Sequence, residues 1–186
     1  MKPEIIETKT LWEGRFLRSI LITYRNARGD IIPWEAFQRI GVRGIVAIVP
    51  FTAEGEALLI KQFRPPLGRY VVEFPAGLND RDEPLEDVAG RELLEETGYR
   101  ADTLRAIAEG PLSSGASTEI LTVYFANNVV YAGKQTLDDV EEIEVIRLPL
   151  EGFHKHLLSL RNDETYLDLK IPGMFELAMR EKAGDA

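Results

Sequence analysis

Residues 77 to 99 read Gly-Leu-Asn-Asp-Arg-Asp-Glu-Pro-Leu-Glu-Asp-Val-Ala-Gly-Arg-Glu-Leu-Leu-Glu-Glu-Thr-Gly-Tyr. Pro84 suits a first helical turn, where its missing N–H would be unpaired in any case. Asp82 and Glu83 stand just before it, where carboxylates favour the positive end of a helix. Leu85, Val88, Ala89, Leu93 and Leu94 recur with helical spacing. Gly98 suits the left-handed residue that ends a helix. The spacing therefore predicts a helix over 84–97 with one apolar face. On it Glu92 and Glu96 share a face, Glu95 is turned from Glu96 by about 100°, and Arg91 reaches Glu95 one turn on. Three carboxylates within one turn repel each other. A hard divalent cation relieves that repulsion, and oxygen donors without Cys or His point to Mg²⁺, with Mn²⁺ able to substitute.

The wider pattern is more specific. Gly77, five residues, Glu83, seven residues, then Arg91-Glu92-Leu93-x-Glu95-Glu96-x-Gly98-Tyr99 resembles the Nudix box with no departure. Seven fixed positions at about 7% each match by chance on the order of 10⁻⁸ per starting point. The resemblance implies an α/β/α sandwich and metal-dependent hydrolysis of a diphosphate that joins a nucleoside to another group. It implies Glu92, Glu95, Glu96 and the backbone carbonyl of Ala76 as metal ligands. Arg91 is then expected to orient Glu95.

A second stretch, residues 61–77, reads Lys-Gln-Phe-Arg-Pro-Pro-Leu-Gly-Arg-Tyr-Val-Val-Glu-Phe-Pro-Ala-Gly. It is similar to the ADP-ribose and nucleoside-diphosphate-sugar pyrophosphatases, in which a Gln-aromatic-Arg run precedes Glu-x-Pro-Ala-Gly. Arg64 is a fixed cation suited to a diphosphate or to a nearby carboxylate. Glu73 either orients Arg64 or sits near the metal. The loop 113–119 lies where that branch carries Ser-Pro-Gly. Ser114 replaces the proline, which spreads the expectation across nucleotide sugars, while Glu119 matches the glutamate that follows and is expected at the substrate. In the acidic run 138–144 the resemblance implies a further carboxylate as base or extra ligand, with Glu141 the first choice and Asp139 the second. Phe16, Trp34 and Phe37 could wall a base slot; Trp34 could equally lie at a dimer interface.

The chain has 186 residues, 45% of them hydrophobic, a net charge of −9 and no cysteine. Disulfides, thiolate-zinc sites and a thiol nucleophile are excluded. The negative balance opposes nucleic-acid binding, which rests on Lys and Arg. No 18-residue apolar run is present and the first residues are too charged for a signal peptide, so a cytoplasmic protein without membrane contact is expected. Strand patterns occupy 5–12, 16–24 and 31–37 as an antiparallel arm with a turn at 26–30. Further strands are expected over 42–51, 57–63, 70–74, 104–109, 119–126 and 143–148, and helices over 152–160 and 172–181. These elements give an α/β fold: an α/β/α sandwich with a mixed sheet. It divides into an N-terminal β arm, 1–38, and a catalytic domain, 39–186. The arm is too small to bury both its faces, so a homodimer is expected, with a small nucleoside diphosphate derivative as substrate. Three rivals share the fold. A non-catalytic nucleotide-sugar sensor could lose the glutamates that are intact here. An isopentenyl-diphosphate isomerase uses a cysteine, and a triphosphate or dinucleotide hydrolase keeps the box.

Overall fold

The computed structural model describes residues 1–137 and 142–184. In chain order the strands are β1 (Glu4–Glu13), β2 (Leu17–Arg25), β3 (Ile31–Arg39), β4 (Ile45–Thr52), β5 (Glu56–Arg64), β6 (Arg69–Glu73), β7 (Ala76–Leu78), β8 (Tyr99–Arg100), β9 (Arg105–Pro111), β10 (Ile120–Tyr131), β11 (Ile143–Pro149) and β12 (Thr165–Leu167). The helices are α1 (Leu85–Thr97), α2 (Phe153–Ser159) and α3 (Ile171–Gly184). No helix among the described residues is long and apolar enough to cross a membrane.

Strand β4 sets the layers. All of it is buried, and a pleated strand sends alternate side chains to opposite faces. Ile45, Ala47, Val49 and Phe51 enter one apolar cluster; Val46 and Ile48 enter another. Helix α1 closes the second cluster with Val88, Ala89 and Leu93, and α3 closes the first with Met174, Phe175 and Ala178. Leu93 is fully buried, which contributes about 1.5–3 kcal/mol for a side chain of that kind. The result is helix, mixed sheet, helix, as the sequence pattern predicts.

The sheet runs parallel between β4 and β10 and antiparallel elsewhere around β5. β4 and β5 form a ladder only at Phe51–Ala57. Beyond that pair β4 takes β7 at Ile45–Ala47, and β5 takes β11. The two strands thus part, and a cleft opens between the β4–β7 wall and the β6–β12 wall.

The arm is a separate three-stranded antiparallel sheet, β1-β2-β3. It meets the remainder through Phe37, whose N–H donates to Ala116 O at 2.9 Å, and through Trp34 Nε1–H, which donates to Gly115 O at 2.9 Å. Every residue of β1 is exposed.

Three short strands escape sequence reading. β7, β8 and β12 have three, two and three residues, too few to show a period. β10 runs past the expected end at 126, because Asn128 adopts φ 53° where its pairing with β4 shifts register; Asn tolerates that left-handed geometry better than most residues. On α3 the buried set is Ile171, Met174, Phe175 and Ala178, while Leu177 is exposed.

Candidate active site

Helix α1 begins at Pro84 without a side-chain cap and ends at Gly98, whose φ is 76° and whose N–H donates to Leu94 O. A Cβ at Gly98 would stand 2.1 Å from the Gly133 carbonyl oxygen, so glycine is required by both conformation and contact. The loop before the helix is tied by buried Asn79, whose Nδ2 donates to Glu83 O at 2.7 Å. The Glu83 side chain turns to Arg91 instead of to the helix end. Arg91 Nε and Nη2 donate to Glu83 Oε1 at 3.1 and 2.9 Å. Its Nη1 donates to Glu92 Oε1 at 2.9 Å and to Glu95 Oε2 at 3.0 Å. Burial works against the Arg91 cation, but the Glu83 bond and the Glu92 and Glu95 charges outweigh it and hold its pKa above the ordinary guanidinium range. Arg91 therefore orients Glu95, and Glu92 and Glu83 as well.

Glu92 and Glu96 both face β7. A Cβ at Gly77 would fall 2.0 Å from the Glu92 carboxyl carbon, so the carboxylate occupies the space that any other residue would fill. Glu96 is 3% exposed and its Oε2 accepts the Ala76 N–H at 3.0 Å. The Ala76 backbone is thus at the cluster, with its amide on Glu96. Gln135 Nε2 donates to Glu96 O at 2.5 Å and to Ile143 O at 3.2 Å, and Thr136 N–H donates to Glu95 O at 3.0 Å. Glu141 and Asp139 lie outside the described residues.

As the side chains stand, no group of three or more Asp, Glu or His among the described residues could hold a metal ion. Glu92 and Glu95 each give one oxygen to Arg91. A carboxylate offers about four acceptor positions over two oxygens, so that bond does not exhaust it. Glu92 and Glu96 stand against β7, Glu95 is held beside them on the helix by Arg91, and the donors are hard oxygen throughout. These residues fit a divalent ion such as Mg²⁺ better than a soft metal.

The cleft holds about 990 Å³ and includes Ala76 and Gly77 on one wall. That is the upper end of the roughly 300–1,000 Å³ typical of small-molecule sites. Arg64 lines it, with Nε and Nη2 on Glu73 Oε1 at 2.8 and 2.7 Å. Glu119 does not stand alone: its Oε1 accepts Arg39 Nε at 2.6 Å, and Arg39 lines the cleft. Arg39 was not legible from sequence, since it ends an arm strand 80 residues from its partner. Phe16, Trp34 and Phe37 do not line this cleft. Phe16 lies exposed under the Arg15 guanidinium, and Trp34 holds the 113–118 loop.

A NUDIX domain family profile matches residues 42–169. The chain belongs to the Nudix family. The relatives of this Nudix hydrolase include an ADP-ribose pyrophosphatase of Bacillus subtilis, 43% identical over 109 residues, covering 58% of this chain and 59% of that one. They also include an ADP-sugar pyrophosphatase of Mus musculus, 36% identical over 152 residues, covering 74% of this chain and 69% of that one. The crystal structure of an ADP compounds hydrolase shares the fold, with a TM-score of 0.80 at 21% identity, over 100% of this chain and 97% of the other. Nudix hydrolases generally require a divalent metal, in keeping with the donor set at β7.

Gly77→Ala isolates the β7 contact. The added methyl meets the end of a flexible side chain, so the fold should survive with Tm within a few degrees, while Glu92 is displaced and kcat falls on the order of 100-fold. Thermal melts and steady-state rates on the same preparation check both halves. Undiminished kcat would mean that the Glu92 position against β7 does not matter.

Proposed function

We propose that this Nudix hydrolase cleaves the diphosphate of ADP-ribose or another nucleoside diphosphate sugar, giving a nucleoside monophosphate and a sugar phosphate. The observation that carries the reading is that Ala76 and Gly77, the β7 residues against which Glu96 and Glu92 stand, line the same cleft of about 990 Å³ as the Arg64–Glu73 pair. That volume exceeds what a diphosphate alone needs and leaves room for groups on both sides of it. The activities named for the Bacillus subtilis and Mus musculus relatives support the same class.

In this mechanism Glu92, Glu95 and Glu96 would hold divalent metal, Mg²⁺ by preference with Mn²⁺ as a substitute, and when bound it would neutralise charge on the diphosphate and favour ionisation of water. Arg91 keeps Glu92 and Glu95 from moving apart. Arg64, fixed by Glu73, and Arg39, fixed by Glu119, present oriented cations to the phosphate oxygens. Water oxygen adds to one phosphorus, the bond from that phosphorus to the bridging oxygen breaks, and the water proton passes to a carboxylate. Glu141 is the first choice for that carboxylate and Asp139 the second.

The working unit in this proposal is a cytoplasmic homodimer built through the 1–38 arm beside the 39–186 catalytic domain. Ile5, Leu11, Trp12 and Phe16 are each more than half exposed on that arm, an apolar surface of the kind that marks an interface. Phe16 and Trp34 would contribute there. Light scattering at micromolar concentration should return twice the 21.0 kDa chain mass; a monomer mass would overturn the assembly.

Substrate choice is tested by kcat/KM for ADP-ribose, GDP-mannose, UDP-glucose and the four dNTPs in Mg²⁺. A nucleoside diphosphate sugar should be preferred over every dNTP by at least about tenfold, since a triphosphate leaves one side of the cleft unfilled. A dNTP preference would overturn the branch and leave the Nudix chemistry in place.

A further inference from the structure

We propose that Gln135 is a positioning residue for the metal-binding glutamates: its amide ties the last turn of α1 to β11 and so sets where Glu95 and Glu96 stand. The inference rests on the reading above that those glutamates hold a divalent ion.

The need for such a residue follows from where the charges lie on the helix. Glu95 and Glu96 occupy the last turn of α1, which ends at Thr97. The C-terminal end of a helix is its negative end, and carboxylates are disfavoured there. No basic residue stands in that turn to offset them. The last four carbonyls of a helix also lack partners within it. The turn that carries Glu95 and Glu96 therefore needs donors from outside the helix to keep its shape.

Residues 132–136 supply them. Ala132 and Gly133 donate their N–H groups to Gly98 O at 2.8 and 3.2 Å, and Thr136 N–H donates to Glu95 O at 3.0 Å. Glu96 O takes a side chain instead: Gln135 Nε2 donates to it at 2.5 Å. The same nitrogen donates to Ile143 O at 3.2 Å. A primary amide nitrogen carries two N–H groups, and here each has an acceptor. Ile143 is itself fixed. It is buried, and it begins the β11–β5 ladder that runs from Ile143–Gln62 to Pro149–Glu56. Gln135 thus joins the helix end to a strand held in the main sheet.

Glu96 is then restrained at both ends. Its carbonyl is referred through Gln135 to β11, which pairs with β5, and its carboxylate accepts the Ala76 N–H of β7, which pairs with β4. Glu95 has the same double restraint, from Thr136 on its carbonyl and Arg91 on its carboxylate. Arg91 and β7 aim the side chains, and Gln135 holds the backbone from which they project. A ligand set must be kept within about 0.5 Å of its working geometry. Loosening one carbonyl of this turn can therefore spoil the set while the fold stands.

The test is Mn²⁺ binding, read from the free-ion electron paramagnetic resonance signal, by wild type, Gln135→Met, Gln135→Asn and Glu96→Gln. Circular dichroism and thermal melts establish that each is folded. Met keeps the length of the side chain and loses both donors. Asn keeps the amide and falls one methylene short, so either variant breaks the bridge if the other does not fold. Each should weaken Mn²⁺ binding by about tenfold. At saturating Mn²⁺ their KM for ADP-ribose should stay within about twofold of wild type, which separates a misplaced ligand set from a damaged cleft. Wild-type Mn²⁺ affinity in the folded Gln135 variants, even with a lowered Tm, would overturn the proposal, as would a KM that rises in step with the loss of Mn²⁺. If Glu96→Gln also binds Mn²⁺ as wild type does, the metal reading itself fails. If Glu96→Gln alone is weakened, that reading stands and only the role of Gln135 falls. If ADP-ribose is not hydrolysed, the reading of substrate fails, and the Mn²⁺ titration still decides the role of Gln135.

Discussion

The Arg91 guanidinium stands among Glu83, Glu92 and Glu95, and the site depends on that arrangement. Carboxylates on one turn of helix, with another brought in from the preceding loop, would spread apart in water. Charge-assisted hydrogen bonds contribute about 1.5–3 kcal/mol each when shielded from solvent, and less where water competes. Four such bonds on one side chain give Glu92 and Glu95 defined positions before any cation arrives. Glu96 needs a different restraint and has one, in the Ala76 amide. The helix thereby brings Glu92 and Glu96 to β7, where glycine at 77 leaves space for the Glu92 carboxylate.

The parting of β4 and β5 does the rest. Because their ladder ends at Phe51–Ala57, each strand takes a new neighbour, and the space between the two walls becomes the cleft. One wall carries Ala76 and Gly77, with the glutamates behind them. The other carries Glu73, Arg64 and, at its outer edge, Tyr166. Each arginine facing the diphosphate region has its own carboxylate, Glu73 for Arg64 and Glu119 for Arg39. A paired guanidinium keeps its plane and its remaining donors aimed, so the cleft can be cationic locally while the chain carries −9 overall.

What could be read from the sequence followed from periodicity and spacing. The helix over 84–97, the doubly buried β4 and the antiparallel arm all carry strong patterns, and Arg91 meets Glu95 because four residues is one helical turn. The Arg64–Glu73 partnership was open to inference because both sit in one motif across a hairpin. Contacts made between distant segments left no such trace. Arg39 meets Glu119 only after the arm folds onto the 113–118 loop. Tyr166 lies on a three-residue strand with no period to announce it. Glu83 stands where a carboxylate suits the helix end, and its bond to Arg91, eight residues on and from a loop, follows no helical spacing rule. Phe16 and Trp34 carry aromatic character but no spacing that places them, and neither lines the cleft of its own chain.

The central claim is that Glu92, Glu95 and Glu96, positioned by Arg91 and β7, are where a divalent ion binds. Electron paramagnetic resonance of free Mn²⁺ titrated with protein measures this directly, without substrate. Glu96→Gln keeps a carbonyl oxygen for the Ala76 amide and removes the charge, so the fold is retained. Wild type should deplete the free-ion signal, and Glu96→Gln should bind Mn²⁺ at least about tenfold more weakly. Equal depletion by the two proteins would place the metal elsewhere and contradict the account.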